Sequence, residues 1–492
     1  MAVFTVLNGT GINGNGVQFG SIGSTIAAGG IAGNPSMSGT SGFVNLVGGG
    51  KLSVTGTGLA FTPPFNLSGT VDSMTYAKSG IDVFSITGMS MALATLAGLV
   101  TGGDENTVLG AIFSGDDRIF GSTQADTLKG YDGNDTIRGG AGADTIDGGN
   151  GSDFANYQGS SAEVNVDLLN HTASGGDAQN DTLTNIENLY GSSNADTLSG
   201  DDNANIIGGE NGNDTLNGNG GNDHLSGEAG DDTVNGGGGA DRLTGGAGAD
   251  TLNGDAGNDS VDAGADNDQI SGGDGNDTLY GGAGDDVLDG GVGNDILEGA
   301  AGADTLTGGD GIDTVSYASS PGAVTVVMGG TSTGGDAEGD TMSGIEQVMG
   351  SAFDDSITGD ANANTLWGLA GNDTLTGGVG ADVLKGGAGN DTFAYVSLAD
   401  STVALAGKDT VIDFSTGDKI DLSAIDADGN EGNGDTAFTF DTGAFTGAGE
   451  IRVLAFANNR YGVYIETTGD QTPESIINVY SDHALTAADF VL

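Results

Sequence analysis

From residue 191 to residue 316 an aliphatic side chain returns every nine positions: Leu198, Ile207, Leu216, Leu225, Val234, Leu243 and onward to Val315. Residues of mostly polar or small type flank it on both sides. Three such residues read as a short strand whose middle side chain points inward while its neighbours face solvent. Six residues rich in Gly and Asp separate one strand from the next, as in Gly245-Gly-Ala-Gly-Ala-Asp250-Thr-Leu252-Asn and Gly272-Gly-Asp-Gly-Asn-Asp277-Thr-Leu279-Tyr. The chain is therefore expected to run turn, strand, turn, strand, with two units completing one coil. Stacked coils lie about 4.8 Å apart, as neighbouring strands do. The position-eight residues then form two facing ladders, a thin core that one unit cannot bury alone.

The frame from Gly191 holds for fourteen units, and arrays of five units each run from Ile112 to Asn156 and from Gly350 to Ala394. Across all twenty-four units, position six is Asp in twenty-two, Asn205 and Asn364 being the exceptions. Position eight is aliphatic or aromatic in every unit but one, at Ala155. Position four is Gly in eighteen, and Gly at positions one, two and four is expected to serve positive φ angles in a tight turn.

Charge turns this from a fold pattern into a chemical one. The 492 residues include 69 Asp and Glu against 11 Lys and Arg, a formal net charge of −58. Self-repulsion on that scale usually opposes compaction, so a fold this regular is expected to need cations. The same charge excludes nucleic acid and anionic membrane as partners. Residues eighteen apart stack, which sets Asp232 over Asp250 and Asp250 over Asp268. Carboxylates at that spacing repel by roughly 1 kcal/mol per adjacent pair even in water. A hard dication between turns reverses the sign, and calcium suits flexible turns with six or more oxygens better than magnesium does. With no cysteine in the chain, disulfides and thiolate metal sites are excluded.

The units resemble the Gly-Gly-x-Gly-x-Asp-x-aliphatic-x pattern of RTX (repeats-in-toxin, hemolysin-type calcium-binding) proteins over more than half the chain. That resemblance implies an all-β architecture: a parallel β-roll or β-helix solenoid with Ca²⁺ between successive turns. It also implies ligation by the position-six Asp and by backbone carbonyls. Carried over by position, the ligands are Asp117, Asp126, Asp135, Asp144 and Asp153 in the first array. In the second they are Asp196, Asp214, Asp223, Asp232, Asp241, Asp250, Asp259, Asp268, Asp277, Asp286, Asp295, Asp304 and Asp313. In the third they are Asp355, Asp373, Asp382 and Asp391. At the array starts Gln124, Asn194 and Phe353 replace the position-four Gly, and Asn205 and Asn364 lack the charge. These are read as capping turns with weak or absent calcium sites.

Two inserts, 157–190 and 317–349, resemble each other. Gly175-Gly-Asp177-Ala and Ile186-Glu187-Asn188-Leu189 in one match Gly334-Gly-Asp336-Ala and Ile345-Glu346-Gln347-Val348 in the other. Each is expected to carry the solenoid through on a β lead-in, which favours a structural role for Glu187 and Glu346 over a catalytic one. Residues 395–492, from Asp409-Thr-Val-Ile-Asp413-Phe414 to the closing Asp489-Phe490-Val491-Leu492, resemble the β-rich C-terminal secretion domain of serralysin-type type I substrates. Within them, Ile451 to Val453 and Tyr461 to Ile465 around Asn458-Asn459 read as a hairpin. The N-terminus lacks a basic n-region and an apolar h-region, so export by another route than Sec is expected. Residues 1–111 carry only six charged side chains and are expected to be β-rich, with short helices at Met89 to Val100 and Glu105 to Phe113.

No catalytic residue is assigned. His171, His224 and His483 stand apart, which leaves no His-Glu-x-x-His, and Gly88-Met-Ser90-Met-Ala92 falls short of a nucleophile elbow. The expected function is a secreted, calcium-dependent, non-enzymatic component of a surface layer, matrix or adhesion apparatus. A type I ABC transporter would be its partner during export, and self-assembly or a cell-surface polysaccharide its contact outside, without membrane insertion. An exported hydrolase acting on polysaccharide or ester through residues 1–111 is the competing class.

Circular dichroism over a calcium titration is expected to show a coil-to-β transition that magnesium reproduces poorly. A chelated chain as compact and heat-resistant as the untreated one would overturn that expectation.

Overall fold

The computed structural model describes residues 115–492 apart from 429–435 and 442, together with the backbone of eight strands between Val3 and Ala92. The chain divides into two units, Met1–Arg242 and Leu243–Leu492. Among the described residues there is no α-helix, only four 3₁₀ turns.

In the first unit, strands Ser36–Ser38, Ser41–Asn45, Gly50–Thr55, Thr70–Lys78 and Ile81–Ala92 form an antiparallel meander. Ile81–Ala92 corrects part of the sequence reading. Met89 to Ala92 belong to a strand rather than a helix, pairing Met91 with Val71 and Ala92 with Thr70. The cause is a period of two: Met89 and Met91 alternate with Ser90 and continue the strand that starts at Ile81, rich in β-branched residues. Residues 93 to 114, with the second expected helix, lie outside the described residues. Strand Val3–Thr5 pairs antiparallel with Ile81–Ala92 and parallel with Arg118–Phe120.

From Arg118 onward the pairing becomes parallel, with a step of eighteen residues. Leu128 lies beside Ile146, Leu198 beside Leu216, and Leu216 beside Val234. In the second unit Ile270, Leu288 and Leu306 stack in the same way. Alternate units pair in two separate sheets, so two units make one coil, as the period requires. The inward ladder is fully buried: Leu216, Leu225, Leu279, Leu288, Leu297 and Leu306 are all 0% exposed. Ala155, the one small residue at its position, is buried in the same line, beside Ile137 and Leu189.

Both inserts keep the roll continuous. Thr182–Thr184 and Asn188–Tyr190 pair parallel with repeat strands of the first array, and Thr341–Ser343 and Gln347–Met349 do so in the second unit. The coil also outlasts the nine-residue period. Thr410–Phe414 pairs with Val383–Ala388, and Lys419–Asp421 with Thr392–Ala394. Glu450–Ala455 and Arg460–Glu466 form the expected hairpin, with Asn458 and Asn459 left-handed at its turn (φ 62° and 57°).

Glycine serves two different needs in the turn. At position four, Gly275 has φ 150° and passes so close to the carbonyl of Gly257, one coil earlier, that no Cβ fits. Position one departs from the expectation: Gly290 needs no positive φ, and its missing side chain instead leaves room for neighbouring oxygens.

Leu306→Ala is expected to cost roughly 2–5 kcal/mol in calcium, read as a fall in the urea midpoint. Thr305→Ala, exposed on the adjacent position, should change stability by no more than about 0.5 kcal/mol. Equal effects of the two would contradict a core confined to position eight.

Candidate metal sites

Each position-six Asp is held by the coil beside it. The amide of Asp117 donates to Oδ1 of Asp135 at 2.7 Å, and Asp135 donates in turn to Asp153 at 2.7 Å. Asp214 and Asp223 donate likewise to Asp232 and Asp241. In the second unit Asp268, Asp277, Asp286 and Asp295 donate to Asp286, Asp295, Asp304 and Asp313. Each Asp carbonyl then accepts from the strand that follows, as Asp117 does from Thr136 at 2.8 Å. All twenty-two expected residues lie in this position, and none is more than 4% exposed.

That leaves Oδ2. In Asp135, Asp144, Asp153, Asp214 and Asp223 of the first unit this oxygen is buried without a hydrogen-bond partner. The same is true of Asp268, Asp277, Asp286, Asp295, Asp304, Asp313, Asp373, Asp382 and Asp391 in the second. A native fold seldom leaves even a few buried polar atoms unsatisfied; here they form rows. A Cβ built on Gly290 would lie 2.5 Å from the Gly308 carbonyl and 2.6 Å from Asp295 Oδ2. Two oxygens from successive coils thus face one small cell, and the same holds at Gly281 with Gly299 and Asp286. Only oxygen donors meet there, one of them anionic. That donor set fits a hard divalent cation such as calcium, which would supply the positive charge the carboxylates lack.

The array starts are built differently. Asp126 accepts from the amide and hydroxyl of Ser122 through the same Oδ2 that is orphaned elsewhere. Ser192 does this for Asp196, and Ser351 for Asp355, each pairing its amide with Oδ2 and its hydroxyl with Oδ1. Asn205 and Asn364 turn their Oδ1 to the amides of Asp201 and Asp360 instead. Serine and amide groups meet the oxygens of these turns, although Asn364 Nδ2 is buried without a partner, so of the twenty-two carboxylates Asp126, Asp196 and Asp355 have the least need of a metal.

Residues outside the repeats also enter the rows. Asp144 donates its amide to Asp181 Oδ1 at 2.8 Å, and Asp304 to Asp340 Oδ1 at 2.8 Å. Asp153 and Asp313 use Glu187 and Glu346 in the same way. Asp382 and Asp391 end on Asp409 and Asp418. At Asp181 and Asp340 the second oxygen is again satisfied, by the hydroxyls of buried Tyr157 (3.2 Å) and Tyr317 (2.8 Å). The sequence signal for these acids is the acid-x-aliphatic triplet: Asp181-Thr-Leu183, Asp340-Thr-Met342, Asp409-Thr-Val411 and Asp418-Lys-Ile420.

Burial dominates the titration of the rows. It pushes Asp135, Asp268, Asp304 and Asp373 from the ordinary 3.8 up to about 7. Asp144, Asp153, Asp214, Asp223, Asp382 and Asp391 rise to about 6. The amide from the neighbouring coil lowers each value, and the surrounding carboxylates raise it. In the metal-free fold these groups hold protons that the unfolded chain releases near pH 4. Their effect is therefore to destabilise the metal-free roll progressively as pH rises from about 4 to about 7. With calcium chelated, β content by circular dichroism is expected to grow as pH falls through that window. Calcium added at about pH 6 should release protons. A chelated chain whose β content is flat or falls on acidification would contradict this.

Comparison with known proteins follows the same map. The model for the RTX calcium-binding nonapeptide repeat (four copies) matches in overlapping stretches that together cover residues 113–155, 183–315 and 340–393. No curated protein sequence matches the chain. Among solved structures, the AlgE6R3 subunit of the Azotobacter vinelandii mannuronan C5-epimerase is 26% identical over 28% of this chain and 78% of its own. Its TM-score is 0.19, a superposition too poor to bear on the fold. Among the described residues no helix is long and apolar enough to cross a membrane. The family match falls on the coils that hold the partnerless oxygens; residues 113–393 carry RTX calcium-binding nonapeptide repeats, which bind calcium in multiple copies.

Proposed function

We propose that this protein works outside the cell as a calcium-dependent structural component of a surface layer, matrix or adhesion apparatus. The observation that carries the reading is the set of buried, partnerless Asp oxygens. A chain that must bury them has reason to stay unfolded where calcium is scarce. Extracellular calcium modules work at about 10⁻⁴–10⁻³ M, far above cytosolic free calcium. An unfolded chain suits export through a type I ABC transporter, and calcium outside then favours the folded state by mass action. Residues 395–492 resemble the C-terminal domains of such substrates, which supports that route. The roll spaces and stiffens, and the sparsely charged residues 1–111 are the segment left to contact other copies or a cell-surface polysaccharide.

Deleting residues 1–111 tests the assignment. The shortened chain is expected to keep its calcium-induced β transition and to pass from the cell surface into the medium. If deletion instead abolishes turnover of polysaccharide or ester substrates by the full chain, the protein is an exported hydrolase.

A further inference from the structure

Outside the carboxylate rows, the described residues bring one other group of acids together. Glu466, Asp470 and Glu474 offer oxygens that all lie within 4.8 Å of one another. They belong to the turn joining strand Arg460–Glu466 to strand Ser475–Ser481, two antiparallel strands in which Ile465 faces Ser475. Glu474 directly precedes Ser475, and its amide donates to the Ile465 carbonyl at 2.9 Å. On the other side of strand Arg460–Glu466, Glu466 is the direct partner of Glu450. Like charges directly opposed across strands are destabilising, and Glu450 and Glu466 are so opposed.

The carboxylates differ in how they are satisfied. Glu450 is bound by the amide and hydroxyl of Thr446. Glu474 accepts from the Thr467 amide at 2.8 Å and the Thr468 hydroxyl at 2.8 Å. Glu466 is 0% exposed, and its Oε2 is buried with no hydrogen-bond partner. Among the described residues no Lys, Arg or His forms an ion pair with any of the three acids in the turn. Glu466 Oε1 accepts from the Gly469 amide and the Thr468 hydroxyl, so half of the carboxylate is met, and burying the other oxygen without a partner is unfavourable. Asp470 is exposed, so the group opens to water on one side, where a hydrated ion has access. We propose that Glu466, Asp470 and Glu474 form a divalent-cation site of the calcium class, separate from the repeat rows, that fastens the C-terminal hairpin. Three hard oxygen donors at one exposed turn, with room left for water, suit calcium better than the near-ideal octahedron magnesium demands.

Hydrogen exchange read by mass spectrometry on the full chain, at stepped free calcium, separates this site from the repeats because each peptide reports its own region. The comparison is with Asp470→Asn, a change at an exposed side chain that leaves the hairpin pairs untouched. In the variant, the calcium concentration that half-protects peptides covering 466–474 is expected to rise about tenfold or more. Peptides within 272–311 should keep their midpoint. Glu466→Gln, which removes the buried charge, should leave the hairpin better protected than in the natural chain when calcium is chelated. Superimposable titrations of 466–474 in the natural chain and Asp470→Asn would overturn the proposal, as would a chelated Glu466→Gln hairpin no better protected than the natural one.

Discussion

A carboxylate that is both buried and half-satisfied governs this molecule. Each repeat Asp gives one oxygen to an amide of the adjoining coil, and that bond fixes the register of the turn. Within the arrays, as at Asp135 and Asp304, the other oxygen points into a cell too small for a side chain, where burial raises its proton affinity. At coil spacing, neighbouring charges interact by about 3–4 kcal/mol if the effective dielectric is near 20. The net value of a backbone hydrogen bond is nearer 1 kcal/mol. On these magnitudes the hydrogen-bond ladder does not offset the repulsion of fully ionised rows, and a cation between the coils relieves it. Protons relieve part of the repulsion where burial lifts a row carboxylate to about 7, and the calcium that RTX repeats bind supplies positive charge at any pH where the carboxylates are ionised.

The places where the rows stop follow from the same constraint. Several row ends meet the need of the second oxygen without a metal. Ser122, Ser192 and Ser351 do so from within the turn itself, through amide and hydroxyl together. Tyr157 and Tyr317 do so from across the insert, each spending a buried phenol on one carboxylate. The two inserts repeat even the small details: a 3₁₀ turn at Gly176–Ala178 and Gly335–Ala337, and a serine hydroxyl closing the loop onto Ala162 or Gly322. They are segments in which uncharged donors do the work that calcium does elsewhere.

How much of this was legible depended on whether spacing carried the information. The ladder of Leu216, Leu288 and Leu306 is a matter of period alone and can be read directly from the chain. So can the placement of the twenty-two repeat acids in buried turns, because the period that sets the ladder sets them too. Asp181, Asp340, Asp409 and Asp418 were hidden because the residues before them break the count, although each keeps its aliphatic partner two residues on. The phenol of Tyr157 meets Asp181 over a separation of 24 residues, and that of Tyr317 meets Asp340 over 23; no local pattern announces such a pair. Met89 to Ala92 were misread because a short apolar run satisfies a helix and a strand equally well until its partner strand is known. Position-one Gly was given the wrong cause, since sequence shows that a Cβ is absent but not which atom needs the room.

The C-terminal end shows that the rows and the core are closed by one device. A solenoid exposes both its apolar ladder and its unpaired strand edges at its last coil, and each is a liability. Here the extension past the last repeat meets the two needs at once. Asp409 and Asp418 receive the amides of Asp382 and Asp391, so the rows do not end on bare donors. Two residues on, Val411 and Ile420 continue the ladder under Leu384 and Phe393. Strand Ser475–Ser481 then covers the edge of Thr410–Phe414, and Phe490–Val491 covers that of Lys419–Asp421. Phe414 packs 5.9 Å from the Phe393 ring and is fully buried. Because the acid and the aliphatic residue are two positions apart in one strand entry, neither row nor ladder can be extended or cut without the other. The metal-binding turn and the apolar core are thus a single repeating object, in which each coil adds one step to the acid row and one to the ladder.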